Sequence, residues 1–112
     1  MSRQASFLDY LHRYAAKDLD GIAAMFSEGI TMRDWNLSVK GRDAAIAATR
    51  KNFESAGSIH IEVLRVLENA NSVAGELRIL VDGHLELFVV DVLDFDAEGR
   101  ITAIRAFLGR GD

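Results

Sequence analysis

The sequence predicts an α+β domain, with three helices from its first half packed on a strongly curved, mixed or antiparallel sheet. Three observations point there. Apolar residues recur at three- and four-residue spacing in the segments before Ser55, the period of a helix with one buried face. From Ile59 onward they alternate with polar residues in four runs, the period of strands. Turn-forming clusters, Asn69-Ala70-Asn71-Ser72, Asp82-Gly83 and Asp96-Ala97-Glu98-Gly99, separate those runs at lengths suited to antiparallel neighbours. Helices that precede a block of strands segregate to one face of the sheet, and a sheet wrapped around them encloses a pocket open at one end.

Each element has its own warrant. Ser6 followed by Phe7, Leu8, Tyr10, Leu11, Tyr14 and Ala15 gives the first helix an apolar face. Asp18 can cap a second, short helix through Ile22, Ala23, Met25 and Phe26, because its carboxylate accepts from freed N–H groups of the first turn; Gly29 is expected to end it. Residues 30–34 read as a strand and 37–40 as another extended piece. Gly41 and Arg42 lead into a third helix over 43–54, with Ile46 and Phe53 toward the core, and Ser55-Ala56-Gly57-Ser58 stops it. The strand over 59–68 places Ile59, Ile61, Val63, Arg65 and Leu67 on one face, and the next aligns Val73, Gly75, Leu77, Ile79 and Val81. Asp82-Gly83 marks a tight hairpin, since both positions tolerate positive φ. Strands over 85–95 and 101–108 complete a single domain spanning 1–112, with no repeat or linker.

Composition removes several functions. A chain of 112 residues suits one domain with a real core. A net charge of −4, without a basic cluster interleaved with aromatics, argues against nucleic acid as a partner. There is no cysteine, and His12, His60 and His84 fall on separate elements without metal-ligand spacing. Glycines occur singly and form no phosphate-cradling loop. No cofactor or metal is expected. No apolar stretch approaches membrane-spanning length and the first residues lack the apolar core of a secretion signal, so a cytoplasmic protein with no membrane partner is the expectation.

Two acids break the apolar pattern. Asp91 shares strand parity with Leu85, Leu87, Val89, Leu93 and Phe95, and Asp34 shares it with Ile30 and Met32. A carboxylate in such a position must be hydrogen-bonded, paired or protonated. With Tyr10 from the first helix, these acids suggest a cavity built for chemistry. A desolvated Asp91 that keeps its proton would donate a hydrogen bond, as would the Tyr10 phenol, and two donors converging in a dry pocket stabilise an enolate oxygen. Asp34, in a different environment, could take a proton from carbon beside a carbonyl. The rival reading is structural: Arg33, Arg65, Arg78 or Arg105 could neutralise either acid, and one β-bulge would turn it to solvent. Phe7, Met25, Trp35, Phe53 and Phe107 are the candidates for the pocket wall.

At these residues the chain resembles the nuclear-transport-factor-2-like superfamily, its SnoaL-like members included, and is most similar to the bacterial ketosteroid isomerases. The likeness rests on Asp18-Leu19-Asp20-Gly21-Ile22, Met25-Phe26, Thr31 and Asp34, and on Asp91 with Gly99-Arg100-Ile101 and Arg105-Ala106-Phe107-Leu108-Gly109; between Ser58 and Gly83 only the strand pattern matches. The resemblance implies a cone-shaped fold, a small hydrophobic molecule as ligand and cofactor-free isomerisation. It places Tyr10 on the oxyanion-hole tyrosine, Asp34 on the proton-shuttling aspartate and Asp91 on the protonated oxyanion-hole aspartate. The neutral, donating acid is taken from that family; alternation supplies only the inward placement. The resemblance also implies a homodimer joined through the outer sheet face, where Phe88, Val90 and Val92 lie. Departures exist: Thr49 or Arg50 stands where the isomerases carry a supporting tyrosine on the third helix, and Trp35 where a proline usually follows the shuttling aspartate. The same fold serves polyketide cyclases, dehydratases, epoxide hydrolases and plain binding modules. An epoxide-hydrolase-like site would need two acids bridged by an arginine, and a binding module would show a filled pocket with Asp91 locked to an arginine.

Overall fold

The structure, a computed structural model, describes residues 2–110. Helix α1 (Arg3–Ala15) is capped by Ser2, whose side chain accepts from the Ala5 N–H. Helix α2 (Leu19–Ala23) is capped by Asp18, accepting from Gly21 N–H, as expected from the sequence. Strands β1 (Phe26–Arg33) and β2 (Ser38–Lys40) follow, then α3 (Arg42–Ser55), β3 (Ile59–Glu68), β4 (Ser72–Val81), β5 (Leu85–Phe95) and β6 (Ile101–Leu108). The six strands form one curved sheet in the order β2-β1-β6-β5-β4-β3. β3 to β6 form an antiparallel meander, and β1 joins β6 in parallel, so the sheet is mixed.

The core lies between the helices and the concave face. Phe7, Ile22, Phe26, Ile30, Val73, Leu77, Leu93 and Ile101 are fully buried there, each contributing ~1.5–3 kcal/mol through lost apolar exposure. Gly75 permits the close approach of α1: a Cβ at that position would lie 2.4 Å from Cζ of Phe7. The hairpin between β4 and β5 turns at Asp82 and Gly83, with φ of 55° and 76°, as its sequence required.

Three departures from the sequence reading share one cause, long-range strand pairing. The second helix stops at Ala23 rather than at Phe26, and Gly29 lies inside a strand rather than ending a helix. Phe26 pairs with Ile101 in parallel, and that pairing, with the burial of Phe26 and Ile30, overrides the helical spacing of Met25 and Phe26. In β3 a bulge between Val63 and Arg65 reverses parity, so Val66 packs toward the core while Arg65 and Leu67 face solvent. A second irregularity, between Asp94 and Phe95 of β5 opposite β6, puts Ile104 and Ala106 on the concave side, and Phe107 opposite Val90 on the convex side.

Candidate active site

A cavity of about 500 Å³ opens between the helices and the concave sheet face. Tyr10, Asp34 and Asp91 all line it, brought together from α1, from the turn after β1 and from the middle of β5. Its apolar wall includes Ile59, Ile61, Ile79, Leu87, Val89 and Ile104, and its exposed rim includes Trp35, Asn36, Ser55, Asp82 and Leu85. The rim is stitched across. Asp82 Oδ1 accepts from the N–H groups of Gly57 and Ser58 at 2.6 and 2.9 Å, and the Lys17 ammonium donates to the carbonyls of Ala56 and Gly57.

The sheet neighbours of Asp91 are small, and Phe7 fills the space over one of them, Gly75. The cross-strand partners of Asp91 are Gly75 on β4 and Ala106 on β6, and directly opposed residues share a face. The two smallest side chains thus flank the acid. Among the described residues Asp91 has no ion-pair or hydrogen-bond partner, and no fully buried side-chain polar atom lacks one, so its unpartnered oxygens face the cavity. Burial raises its pKa from the ordinary 3.8 to about 7, and the nearby Asp34 carboxylate adds to the effect. Tyr10 is 4% exposed. Burial holds its phenol well above its usual pKa, with smaller effects of Tyr14 and Asp91 in the same direction, so it remains a donor.

Asp34 lies beyond the end of β1 and not within it, a correction to the strand read over 30–34. Its Oδ1 accepts from the N–H groups of Asn36 and Leu37 at 2.7 and 2.9 Å, and its own N–H donates to the Leu37 carbonyl. This Asx turn reverses the chain into β2 and holds the acid at the cavity's edge. Among the described residues its Oδ2 has no protein partner.

The arginines that could have neutralised these acids are mostly engaged elsewhere. Arg105 grips Asp94 with two hydrogen bonds of 2.9 and 3.0 Å. Arg78 pairs with Glu62 and Glu86. Arg65 is exposed on β3, and Arg33 is exposed at the cavity's edge without an ion pair to either acid among the described residues.

Four of the five expected wall residues lie elsewhere. Phe7 is wholly buried over Gly75. Met25 packs against the core from the turn before β1, since the short α2 ends before it. Phe53 is 7% exposed and packed against Tyr14. Phe107 is 55% exposed on the convex face, where the β5–β6 irregularity turns it. Trp35 does line the cavity, at the rim. Tyr14 and Asn52, which the sequence reading did not assign to the pocket, also line it, as does Thr49, one of two third-helix residues where the resemblance expects a tyrosine. Tyr14 could have been found by its i+4 spacing from Tyr10, which places both rings on one face of α1; Asn52 carries no comparable signal. The three histidines are exposed, and the described residues contain no cluster of potential metal ligands. No described helix is long and apolar enough to cross a membrane.

The SnoaL-like domain family matches residues 7–104. The chain is 30% identical over 112 residues to a steroid Delta-isomerase of Nocardioides simplex, covering 97% of this chain and 91% of that protein. An NTF2-like protein of unknown function from Cytophaga hutchinsonii superposes with a TM-score of 0.82 at 14% identity, covering 97% of this chain and 91% of the other. An LEH-like epoxide hydrolase of M. tuberculosis superposes with a TM-score of 0.79 at 16% identity, covering 94% and 80%. At such identities the two structures speak for the fold alone.

Proposed function

We propose that this chain, which belongs to the SnoaL-like family, is a cofactor-independent isomerase that moves a proton alpha to a carbonyl on a small hydrophobic ketone. The observation that carries this reading is Asp91: a carboxyl without a cationic partner among the described residues, half-buried on the cavity wall, with its pKa raised to about 7. An acid held neutral beside a phenol is a pair of donors suited to an enolate oxygen. In the proposed cycle Asp34 takes the proton from the carbon beside the carbonyl of a β,γ-unsaturated ketone. Charge moves onto the oxygen, where Tyr10 and protonated Asp91 donate to it. Asp34 then returns the proton to the γ carbon, which shifts the double bond and restores the acid–base state.

The isomerase relative supports this reading at the level of the family. The epoxide-hydrolase alternative needs an arginine between two acids: the guanidinium groups of Arg78 and Arg105 are bound to acids outside the cavity, and Arg33, at the cavity's edge, pairs with neither acid among the described residues. A cavity that side chains do not fill, and an Asp91 unpaired among the described residues, favour catalysis over a plain binding or dimerisation unit. The convex face carries Val90, Phe107 and Leu67, 38%, 55% and 64% exposed, and pairing of two copies there belongs to the same proposal; sedimentation that finds only monomer would remove that part.

The test is titration with an environment-sensitive phenol together with turnover of a β,γ-unsaturated ketone. Binding of the phenol in its ionised form well below its solution pKa is the expected result. Asp34→Asn should all but abolish turnover, lowering it ~10²–10⁴-fold, and preserve or tighten that binding; isomerisation at the wild-type rate in the variant would refute the assignment.

A further inference from the structure

Tyr14 is a polar cavity residue to which the proton-transfer cycle gives no task. It follows Tyr10 by one turn of α1, with ring centroids 5.9 Å apart and planes at 50°, and its ring packs edge-on against Phe53 at 4.9 Å. Its hydroxyl oxygen accepts a hydrogen bond from Nδ2 of Asn52 on α3. A phenol whose oxygen is already an acceptor keeps its own hydrogen free to donate. Thr49, on the same wall, donates its hydroxyl to the Ala45 carbonyl at 2.8 Å, and among the described residues makes no hydrogen bond to Tyr14. Among the described residues Tyr14 makes no hydrogen bond to Asp34 or Asp91, although both acids lie within electrostatic reach of it.

The position of this donor is informative. Asn52 is exposed, and Lys17, just beyond α1, is bonded to the rim carbonyls of Ala56 and Gly57. Tyr14 therefore lies on the rim side of Tyr10. One helical turn is a displacement of ~5.4 Å, comparable to the distance across a six-membered ring between para oxygens. We infer that Tyr14, steadied by Asn52, is a second ligand donor, and that the substrates this cavity prefers carry a second hydrogen-bond acceptor across the ring from the reacting carbonyl. The inference rests on the proton-transfer reading, which supplies the first anchor at Tyr10 and Asp91.

Two probes of nearly equal size separate the possibilities: para-methoxyphenol, which offers a second acceptor, and para-ethylphenol, which does not. Their affinities are measured on the full chain by ultraviolet difference spectra, which also report phenol ionisation. The ratio of the two dissociation constants should favour the methoxy probe in the wild type. It should fall about five- to tenfold in Tyr14→Phe, the worth of one ordinary hydrogen bond, and fall in the same direction in Asn52→Leu, at an exposed position. Circular dichroism melting verifies that both variants fold. An unchanged ratio in folded Tyr14→Phe would overturn the second anchor and leave the first standing. Failure of either phenol to bind ionised in the wild type would overturn the proton-transfer reading and this inference with it.

Discussion

Asp91 and Asp94 are three residues apart on one strand, and the sheet treats them in opposite ways. Asp94 points to the convex face, where Arg105 holds it with two hydrogen bonds and the Ser72 hydroxyl donates a third. Arg105 chiefly holds its pKa below the ordinary 3.8, with burial opposing and Ser72 assisting. Asp91 points to the concave face between Gly75 and Ala106, has no cation beside it among the described residues, and is raised to about 7. A carboxyl with a partner contributes to folding and has little chemical freedom. One without a partner costs folding energy and keeps a proton that can be used. The difference lies in the face of the sheet, and face is set by parity.

The largest effects expected from disturbing this contrast are on turnover. Asp34→Asn should reduce the rate by ~10²–10⁴, and, by removing the repulsion that helps to raise Asp91, should lower the Asp91 pKa; carbon-13 carboxyl titration would detect the shift. Asp91→Leu should reduce kcat by ~10²–10³, the effect of losing one oxyanion donor, yet should gain stability near pH 8, because a buried ionised group is removed. Denaturant unfolding of this variant at two pH values checks the trade.

The pH dependence of the wild type gives the sign. Below 3.8 Asp91 is protonated in both folded and unfolded chains; between 3.8 and about 7 the unfolded chain releases the proton and the folded one holds it. This group therefore lowers stability as pH rises through that window, by up to ~4 kcal/mol, and no further above it. Asp94 acts oppositely: its contribution is present above 3.8 and is lost as pH falls through its lowered value. Unfolding curves for Asp91→Leu and Asp94→Ala against wild type should resolve the two slopes. For the proposed reaction kcat/KM should decline above about pH 7 as Asp91 ionises in the free protein.

Smaller effects probe the surroundings. Gly75→Ala would force a methyl against Phe7 and should cost ~1–3 kcal/mol, read as a lower unfolding midpoint. Asp94→Ala should cost no more than ~1 kcal/mol, because the pair is partly exposed and surface ion pairs contribute little. A gain in stability there would erase the contrast between the two acids.

Local pattern was enough for much of this protein. Alternation over Leu85 to Phe95 placed Asp91 inward, because period-two geometry needs no knowledge of partners. Ser55 to Ser58, Asp82-Gly83 and Asp96 to Gly99 marked their turns, because dihedral preference is a property of the residues themselves. Tertiary structure decided what depends on distant partners. Parallel pairing with Ile101 made Phe26 a strand residue, the bulge after Val63 turned Val66 in, and the irregularity opposite Ile101 turned Phe107 out. The bond from Asn52 to Tyr14 and the row Gly75-Asp91-Ala106 likewise join residues far apart in the chain. A cavity is a volume that several elements leave unfilled. Its walls follow from register and packing, which one segment's pattern does not contain.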